Sequence, residues 1–308
     1  MTTAFITGVS GFAGQHLAKL LLSKDWEVSG LDIHPASALS SFYHADITDR
    51  VALEQALDIV RPDVVFHLAG VLKSEKPDRF YAVHVLGTTA LLDAIANLGL
   101  QARTLIASSS AVYGAGLGRR PITENFMPRP ITHYALSKLA QEMVASYYHT
   151  TFNLPILYAR TFNLLGSGLS QEMSCSSFAR QIAQAEIGNA PATIQTGDLS
   201  PQRDFVDVRD AVRAYMLLVE QGQAGQVYNV ASGQTISIRQ CLDFLRKQAR
   251  IPIGTVLDPA RIQKNDIPIQ VGSAKFIKNE VNWEAKIPSE ESLLDLLNDW
   301  RRKVNKNE

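Results

Sequence analysis

This 308-residue chain has few cysteines, no excess of either charge sign and no long apolar run. Only Cys175 and Cys241 occur, far apart and without metal-ligand spacing, so we expect neither a disulfide framework nor a metal site. Lys plus Arg and Asp plus Glu number 30 each, so no net field draws the chain towards nucleic acid or a membrane. No apolar stretch approaches the roughly 18–20 residues of a membrane span. The first residues lead directly into an apolar run, so we expect no cleavable signal and a cytoplasmic protein.

The sequence does contain a regular alternation of short apolar runs and amphipathic helical patterns. The runs predict buried strands at 4–7, 27–31, 63–68, 104–107 and 155–158. Strands that alternate with helices form a parallel sheet covered on both faces. We therefore predict an α/β fold with a doubly wound parallel sheet of the Rossmann type. After about residue 160 the alternation loosens, which predicts a smaller α/β lobe.

A glycine-rich turn follows the first predicted strand. The segment Gly8-Val9-Ser10-Gly11-Phe12-Ala13-Gly14 spaces three glycines as Gly-x-x-Gly-x-x-Gly before an amphipathic helix. Glycines are needed there because the turn is tight and the backbone must approach a pyrophosphate at the helix N-terminus. We predict that Gly8, Gly11, Phe12, Ala13 and Gly14 bind a dinucleotide.

Residues at the ends of the next strands are predicted to contact the same dinucleotide. Asp32 ends the second strand at the separation expected for a carboxylate that hydrogen-bonds an adenosine ribose, although a cap or turn aspartate is the alternative. That carboxylate repels a 2′-phosphate and no arginine follows closely, so NAD(H) is favoured over NADP(H). Further cofactor contacts are predicted at Asp46, Ile47, Leu68, Ala69 and Gly70.

Three residue types suited to hydride transfer follow the fifth strand. A serine run, 108–110, ends the strand, and Tyr134 and Lys138 lie four apart at the start of a helix, on one face. A tyrosine with an ordinary pKa of about 10 transfers protons poorly near neutrality. A lysine cation and an oxidised nicotinamide would lower that pKa, while a serine hydroxyl binds the substrate oxygen. We predict Tyr134 and Lys138 as catalytic, and both also as cofactor contacts.

The glycine turn, the segment Ser109-Ser110-Ala111-Val112-Tyr113-Gly114 and the pair Tyr134/Lys138 resemble the extended short-chain dehydrogenase/reductase family, nucleotide-sugar branch. The resemblance covers nearly the whole chain. It implies that Ser109 is the catalytic serine, four residues before Tyr113. It also implies an NAD(P)-binding domain over 1–160, with segments near 200–230 returning to it, and a nucleotide-sugar-binding lobe mainly over 161–308. His84 departs from the family, which usually has asparagine there.

The same resemblance, in the second half of the chain, implies a nucleotide-diphosphate sugar as the substrate. It is most similar to members of the branch that act on GDP-4-keto-6-deoxy-D-mannose, and substrate contacts are expected at Asn163, Phe178, Arg203, Arg261 and Lys264. Arg203 and Arg209 are candidate phosphate clamps. Either could instead form a structural ion pair with an aspartate of the same segment, namely Asp204, Asp207 or Asp210. The segment 263–268 departs from the arginine-containing pattern of those relatives.

One position helps to choose among the reactions that this scaffold supports. A 4,6-dehydratase needs a further acid–base group, which is a glutamate in family members; the corresponding residue here is Ala111. We predict NAD(P)H-dependent reduction of an NDP-4-keto-6-deoxyhexose. The alternatives are an NDP-sugar 4-epimerase with tightly bound NAD and a non-catalytic NAD-binding scaffold, which the intact Tyr/Lys pair disfavours. The resemblance also implies a homodimer that packs the helices around 80–98 and 134–150.

Overall fold

The first half of the chain alternates strands and helices, as the sequence predicts. The computed structural model describes residues 1–36, 39–116, 118–262 and 267–305. Its first elements are β1 (Thr3–Thr7), α1 (Phe12–Leu22), β2 (Glu27–Asp32), β3 (Ser41–His44), α2 (Arg50–Val60), β4 (Val64–His67), α3 (Pro77–Tyr81), α4 (Gly87–Asn97), β5 (Arg103–Ser109), α5 (His133–Phe152) and β6 (Ile156–Thr161). A π-helical segment, Ala82–Leu86, joins α3 to α4, and a 3₁₀ turn, Ser110–Tyr113, follows β5.

The second half of the chain has shorter strands. Its elements are β7 (Asn163–Leu165), α6 (Ser174–Glu186), β8 (Thr193–Thr196), β9 (Gln202–Arg203), β10 (Phe205–Asp207), α7 (Val208–Gln221), β11 (Val227–Val230), β12 (Ile236–Ser237), α8 (Ile238–Lys247), β13 (Gly254–Leu257), β14 (Ile269–Gln270), α9 (Lys275–Val281) and α10 (Ser289–Asn305). A second 3₁₀ turn, Pro259–Arg261, follows β13.

The predicted Rossmann-type sheet is confirmed. Seven strands lie in the order β3-β2-β1-β4-β5-β6-β11, and every neighbouring pair is parallel. The strand order reverses between β1 and β4. In open α/β sheets a ligand binds at that point, in the crevice beyond the carboxyl ends of the strands.

Helices cover both faces of the sheet because its strands alternate buried side chains to either side. One core cluster packs α1 and α7 against one face, and a second packs α2, α4 and α5 against the other. A third cluster lies between α6, α8 and α10 and forms the core of the smaller lobe. Strand β11 and helix α7 come late in the chain yet pack with the large sheet, so the two parts are interleaved. Within the described residues, no helix is both long and apolar enough to cross a membrane.

Candidate active site

A cleft of about 980 Å³ opens at the carboxyl edge of the sheet, between the sheet and the smaller lobe. Its volume lies within the range of ordinary ligand sites. The lining combines the glycine turn after β1, the ends of β4 and β5, the start of α5 and residues of the smaller lobe. Residues from both halves therefore face one cavity.

The glycine turn closes tightly against the backbone of the neighbouring strand. Gly8 has φ +74°, and a Cβ there would lie 2.6 Å from the backbone nitrogen of Ala69. A Cβ on Gly14 would lie 2.2 Å from the carbonyl oxygen of Gly8. Gly11 stands at the N-cap of α1 and offers no side-chain oxygen to its first turn. The N–H groups at this helix start suit a phosphate anion.

Asp32 holds the glycine turn from the end of β2. Its carboxylate accepts hydrogen bonds from the backbone N–H groups of Ser10 (2.9 Å) and His34 (3.0 Å). A carboxylate has about four lone-pair positions, so about two remain for the hydroxyls of a ribose. Asp32 does not itself line the cleft.

The other predicted cofactor residues divide into two groups. Phe12, Ala13, Leu68 and Gly70 line the cleft with the three motif glycines, whereas Ala69, Asp46 and Ile47 do not. Ala69 is buried and its N–H donates to the Thr7 hydroxyl.

Asp46 and Ile47 already have contacts within the protein. Asp46 pairs with Arg79 at 3.1 Å. Burial acts to raise the pKa of Asp46, but hydrogen bonds from Thr48 and Arg79 outweigh that effect and leave the pKa lowered. Ile47 is buried, and a Cβ on Gly87 of α4 would lie 2.7 Å from it.

Ser109, Tyr134 and Lys138 meet in the cleft. Thr132 caps the N-terminus of α5 by accepting a hydrogen bond from the Ala135 N–H, which places Tyr134 in the first turn. Burial raises the pKa of Tyr134, and a hydrogen bond with Ser109 opposes part of that rise. The sequence predicts a lowered pKa from a lysine cation and an oxidised nicotinamide, but in this structure burial of the phenol has the larger effect and the pKa is raised.

Lys138 is buried with its ammonium group held on two sides. Its Nζ donates to the carbonyl of Ala107 (2.8 Å) and to Oε1 of Gln141 (2.9 Å). Burial lowers the pKa of Lys138 to about 8, against an opposing effect of the Glu142 charge. A third N–H of the ammonium group remains for a ligand hydroxyl.

Polar partners distinguish the three serines at the end of β5. The hydroxyl of Ser108 donates to Glu142, and that of Ser110 donates to Gln270 at 3.1 Å. Ser109 instead accepts from the Ala111 N–H at 3.2 Å and hydrogen-bonds Tyr134. This arrangement supports Ser109 as the serine that meets the substrate.

A buried ion pair behind the cleft was not predicted from the sequence. Glu142 and Arg160 form a bidentate pair with N–O distances of 2.6 and 2.9 Å. Arg160 also donates to the hydroxyl of Tyr113, which donates to Asn229. Glu142 lies four residues after Lys138, so helical spacing places it near the site, but no sequence signal pairs it with Arg160.

Gln270 is a second buried residue that the sequence did not indicate. Its side-chain amide donates to the carbonyls of Ser110 (3.1 Å) and Gly114 (3.2 Å). It therefore ties β14 of the smaller lobe to the turn after β5. Ala111, in that turn, lines the cleft with a methyl group.

The predicted substrate residues that the structure describes also line the cleft. They are Asn163, Phe178, Arg203 and Arg261. Lys264 lies outside the described residues. The Arg261 side chain is 42% exposed and pairs with Asp258 at 3.1 Å. It also donates to Ser177 at 3.4 Å and to Gln195 at 3.5 Å, which leaves two of its five N–H groups for an anion.

Arg209 takes the structural alternative rather than the phosphate-clamp role. Its guanidinium pairs with Asp207 at 2.8 Å and with Asp295 at 2.9 Å, and hydrogen-bonds Glu291 at 3.4 Å. It lies outside the residues that line the cleft. Arg209 therefore joins α7 to α10.

Known proteins resemble this chain along nearly all of its length. Residues 5–296 match the family described as GDP-mannose 4,6-dehydratase. The chain is 34% identical over 306 residues to GDP-6-deoxy-D-mannose reductase of Pseudomonas aeruginosa, with 97% of each chain covered. The structure of RMD from P. aeruginosa complexed with NADPH matches with a TM-score of 0.87 and 33% identity, covering 99% of this chain and 100% of that one. UDP-glucose 4-epimerase of Thermus thermophilus, in complex with NAD, matches with a TM-score of 0.87, 26% identity and coverage of 97% and 99%.

Proposed function

This chain belongs to the GDP-mannose 4,6-dehydratase family of extended short-chain dehydrogenases/reductases, and on that premise we propose that it reduces the 4-keto group of an NDP-4-keto-6-deoxyhexose. GDP-4-keto-6-deoxy-D-mannose is the substrate to test first. The observation that carries the proposal is the meeting of Ser109, Tyr134 and Lys138 in a cleft that also contains the glycine turn.

Each of the three residues has a role that its contacts support. The bound nicotinamide dinucleotide supplies the hydride for C4 of the sugar. Tyr134 holds the proton that the C4 oxygen takes up, and its raised pKa keeps the phenol protonated before reaction. Ser109 hydrogen-bonds the same oxygen and orients it. Lys138 holds a ribose hydroxyl with its remaining N–H and stabilises the phenolate that forms.

The methyl side chain of Ala111 favours reduction over dehydration as the reaction of this chain. A dehydratase removes a proton beside the keto group and expels water, so it needs a group that a methyl cannot replace. The family description names a dehydratase, but this chain presents alanine to the cleft at that position. We therefore assign reduction rather than dehydration.

We propose that NADH is preferred over NADPH because of Asp32. Its carboxylate closes the end of β2 and contacts the glycine turn through Ser10, where an adenosine ribose would lie. A 2′-phosphate there would bring like charges together. The P. aeruginosa relative was solved with NADPH and the T. thermophilus epimerase with NAD, so members of this fold use both cofactors.

The smaller lobe would hold the nucleotide-diphosphate part of the substrate. Arg261 is a partly exposed cation in the cleft, and Arg203 also lines the cleft. Phe178 offers an aromatic face for a base and Asn163 an amide for a phosphate oxygen. We propose guanine as the base on the strength of the relative that acts on a GDP-linked sugar.

One turnover assay tests the reaction and the cofactor preference together. Purified protein is mixed with GDP-4-keto-6-deoxy-D-mannose and either NADH or NADPH, and the absorbance of the reduced nicotinamide is followed. Loss of absorbance, faster with NADH, is expected. Faster loss with NADPH would contradict the role of Asp32 but not the reductase, and no loss with either would contradict the reductase with this substrate.

A 4-epimerase is the second candidate because the T. thermophilus epimerase shares the fold. An epimerase retains its dinucleotide through the reaction, whereas a reductase exchanges it at each turnover. A spectrum of the purified protein distinguishes the two: bound dinucleotide at nearly one per chain favours the epimerase.

We also propose a homodimer that packs the helices around 80–98 and 134–150 of two copies together, the second of which is α5. Leu136, Met143 and Tyr147 lie on one stripe of α5 and are 45%, 68% and 56% exposed. An exposed apolar stripe of this kind is typical of an interface between copies.

A further inference from the structure

His84 stands where the cofactor side of the cleft meets the catalytic helix. It lies in the π-helical segment Ala82–Leu86, is fully buried and lines the cleft. A π-helical turn inside a longer helix often marks a functional position because it redirects one side chain.

The imidazole of His84 bridges two segments. The Val71 N–H donates to Nε2 at 3.0 Å, and Nδ1 lies 2.8 Å from the hydroxyl of Ser137. Because an amide only donates, Nε2 must accept and Nδ1 must carry the proton. Ser137 therefore accepts from Nδ1–H and donates in turn to the carbonyl of Tyr134 at 2.8 Å.

Packing brings the same ring against both catalytic side chains on α5. The rings of His84 and Tyr134 meet edge to face, with centroids 5.7 Å apart at 78°. A Cβ on Gly70 would lie 3.2 Å from Nε2 of His84 and 3.6 Å from Nζ of Lys138. The turn after β4, His84 and Lys138 therefore converge on one point.

The backbone of His84 is held through a second route to Lys138. The Thr88 hydroxyl donates to the His84 carbonyl at 2.6 Å and accepts from the Gln141 amide at 2.8 Å. Gln141 in turn accepts from Lys138 at 2.9 Å. Both the side chain and the backbone of His84 are thus connected to the catalytic face of α5.

His84 does not exchange protons near neutrality. Burial, then the nearby charge of Lys138 and that of His67, lower the pKa of His84 to about 2. A protonated ring would also direct an N–H at the N–H of Val71. A neutral ring with a fixed tautomer remains, which suits a structural link and not a general acid.

We propose that His84 is a positioning residue, which fixes the Gly70–Val71 turn relative to Tyr134 and Lys138 on α5. The inference rests on the proposed function, since the turn matters only if the cofactor crosses it. The two ring nitrogens have separate roles, and each hydrogen bond is called an arm of the imidazole: the Nε2 arm to Val71 and the Nδ1 arm to Ser137. The Nε2 arm holds the turn that contacts the cofactor, and the Nδ1 arm holds the helix turn that keeps Lys138 buried.

Three variants of His84 and one of Ser137 separate the two arms. His84→Phe keeps a ring against Tyr134 and loses both hydrogen bonds. His84→Gln can place an amide oxygen where Nε2 stands, and His84→Asn can place an amide nitrogen where Nδ1 stands. Ser137→Ala removes the Nδ1 arm with a small change, and serves if His84→Phe fails to fold.

NADH binding, measured by fluorescence titration without a sugar substrate, is the readout. His84→Phe is expected to weaken binding by about 3–10-fold, the effect of losing one hydrogen bond. Binding should also persist to higher pH than in the natural protein, because water that reaches Lys138 restores its pKa towards the ordinary value. His84→Gln and Ser137→Ala keep only the Nε2 arm, so both should retain the affinity and lose the natural pH dependence. His84→Asn keeps only the Nδ1 arm and should show the opposite division.

His149→Phe is the matched control, since His149 also lies on α5 and hydrogen-bonds a backbone carbonyl, that of Leu154, but is outside the cleft lining. It should stay within about twofold of the natural protein. Natural affinity in His84→Phe, or natural pH dependence in both His84→Phe and Ser137→Ala, would overturn the inference. Because no sugar is present, failure of the keto-sugar assay would contradict the proposed function and leave these measurements decisive for His84.

Discussion

At the scale of single residues, the site depends on which polar groups are already engaged. Ser108 and Ser110 donate to Glu142 and Gln270, and Ser109 is the member of the run that reaches Tyr134. The sequence alone places three equivalent serines at the end of a strand. Only the resemblance to a family selects one of them, and the hydrogen bonds give that selection a physical reason.

Replacement of Tyr134 by phenylalanine tests the proton donor. We expect kcat for keto-sugar reduction to fall by about 10²–10⁴-fold, because the substrate oxygen loses its positioned acid. NADH binding and thermal unfolding should change little. Tyr147→Phe, the same exchange on the same helix at a residue outside the cleft lining, is the control. Near-natural turnover of Tyr134→Phe would refute the mechanism.

The lowered pKa of Lys138 predicts a loss of activity in mild alkali. The ammonium is charged below its pKa of about 8 and loses its proton above it, earlier than the ordinary value of 10.5. Stabilisation of the Tyr134 phenolate and of the cofactor ribose is lost with that charge. The kcat/KM for NADH reports the free protein and should be level below about pH 8 and decline above it. A profile that stays level to about pH 10 would contradict the assignment.

At the scale of elements, the pair of Glu142 and Arg160 joins α5 to β6 behind the cleft. The hydroxyl of Ser108 in β5 also donates to Glu142 and so connects the neighbouring strand. Both side chains of the pair are over 90% buried, at 8% and 7% exposure. Removal of one partner leaves the other charge buried without compensation. The pair therefore holds the catalytic helix against the two strands beneath it.

The Glu142→Gln variant should destabilise the protein by about 3–5 kcal/mol, because the Arg160 charge stays buried without its partner. Urea unfolding followed by circular dichroism measures the loss. Asp58→Asn, which removes an exposed pair with Arg61, is the control and should cost about 0–1 kcal/mol. Equal losses in the two variants would show that the buried pair has no special role.

Elements were more predictable than the contacts between them. Asp32 at the end of β2 and Tyr134 at the start of α5 follow from periodicity and spacing, which are local signals. The Glu142–Arg160 pair and the contact of Gln270 with Ser110 join residues of separate elements, so no local pattern reveals them. Arg209 shows the converse: its sequence allowed two roles, and only the positions of Asp207 and Asp295 decide between them.

At the scale of the whole molecule, the proposed dimer places one apolar stripe of α5 at an interface. The Met143→Lys variant should shift the mass measured by light scattering from dimer towards monomer, because a charge would be buried at the centre of the stripe. Val51→Lys, at a similarly exposed apolar residue of α2, is the control and should leave the mass unchanged. A natural protein that is monomeric at high concentration would contradict the proposal. The cytoplasmic location stays a prediction from the sequence.

Strand β11 is synthesised well after β6, the strand that it pairs with, and this delay affects the protein during translation. Val227, which begins β11, comes 66 residues after Thr161, which ends the neighbouring strand β6. At about 5–20 residues per second of synthesis, the ribosome needs several seconds to cover that interval. During this time the outer edge of β6 has no strand to pair with and is open to other chains. Newly made protein is therefore most exposed to aggregation between these two points of translation.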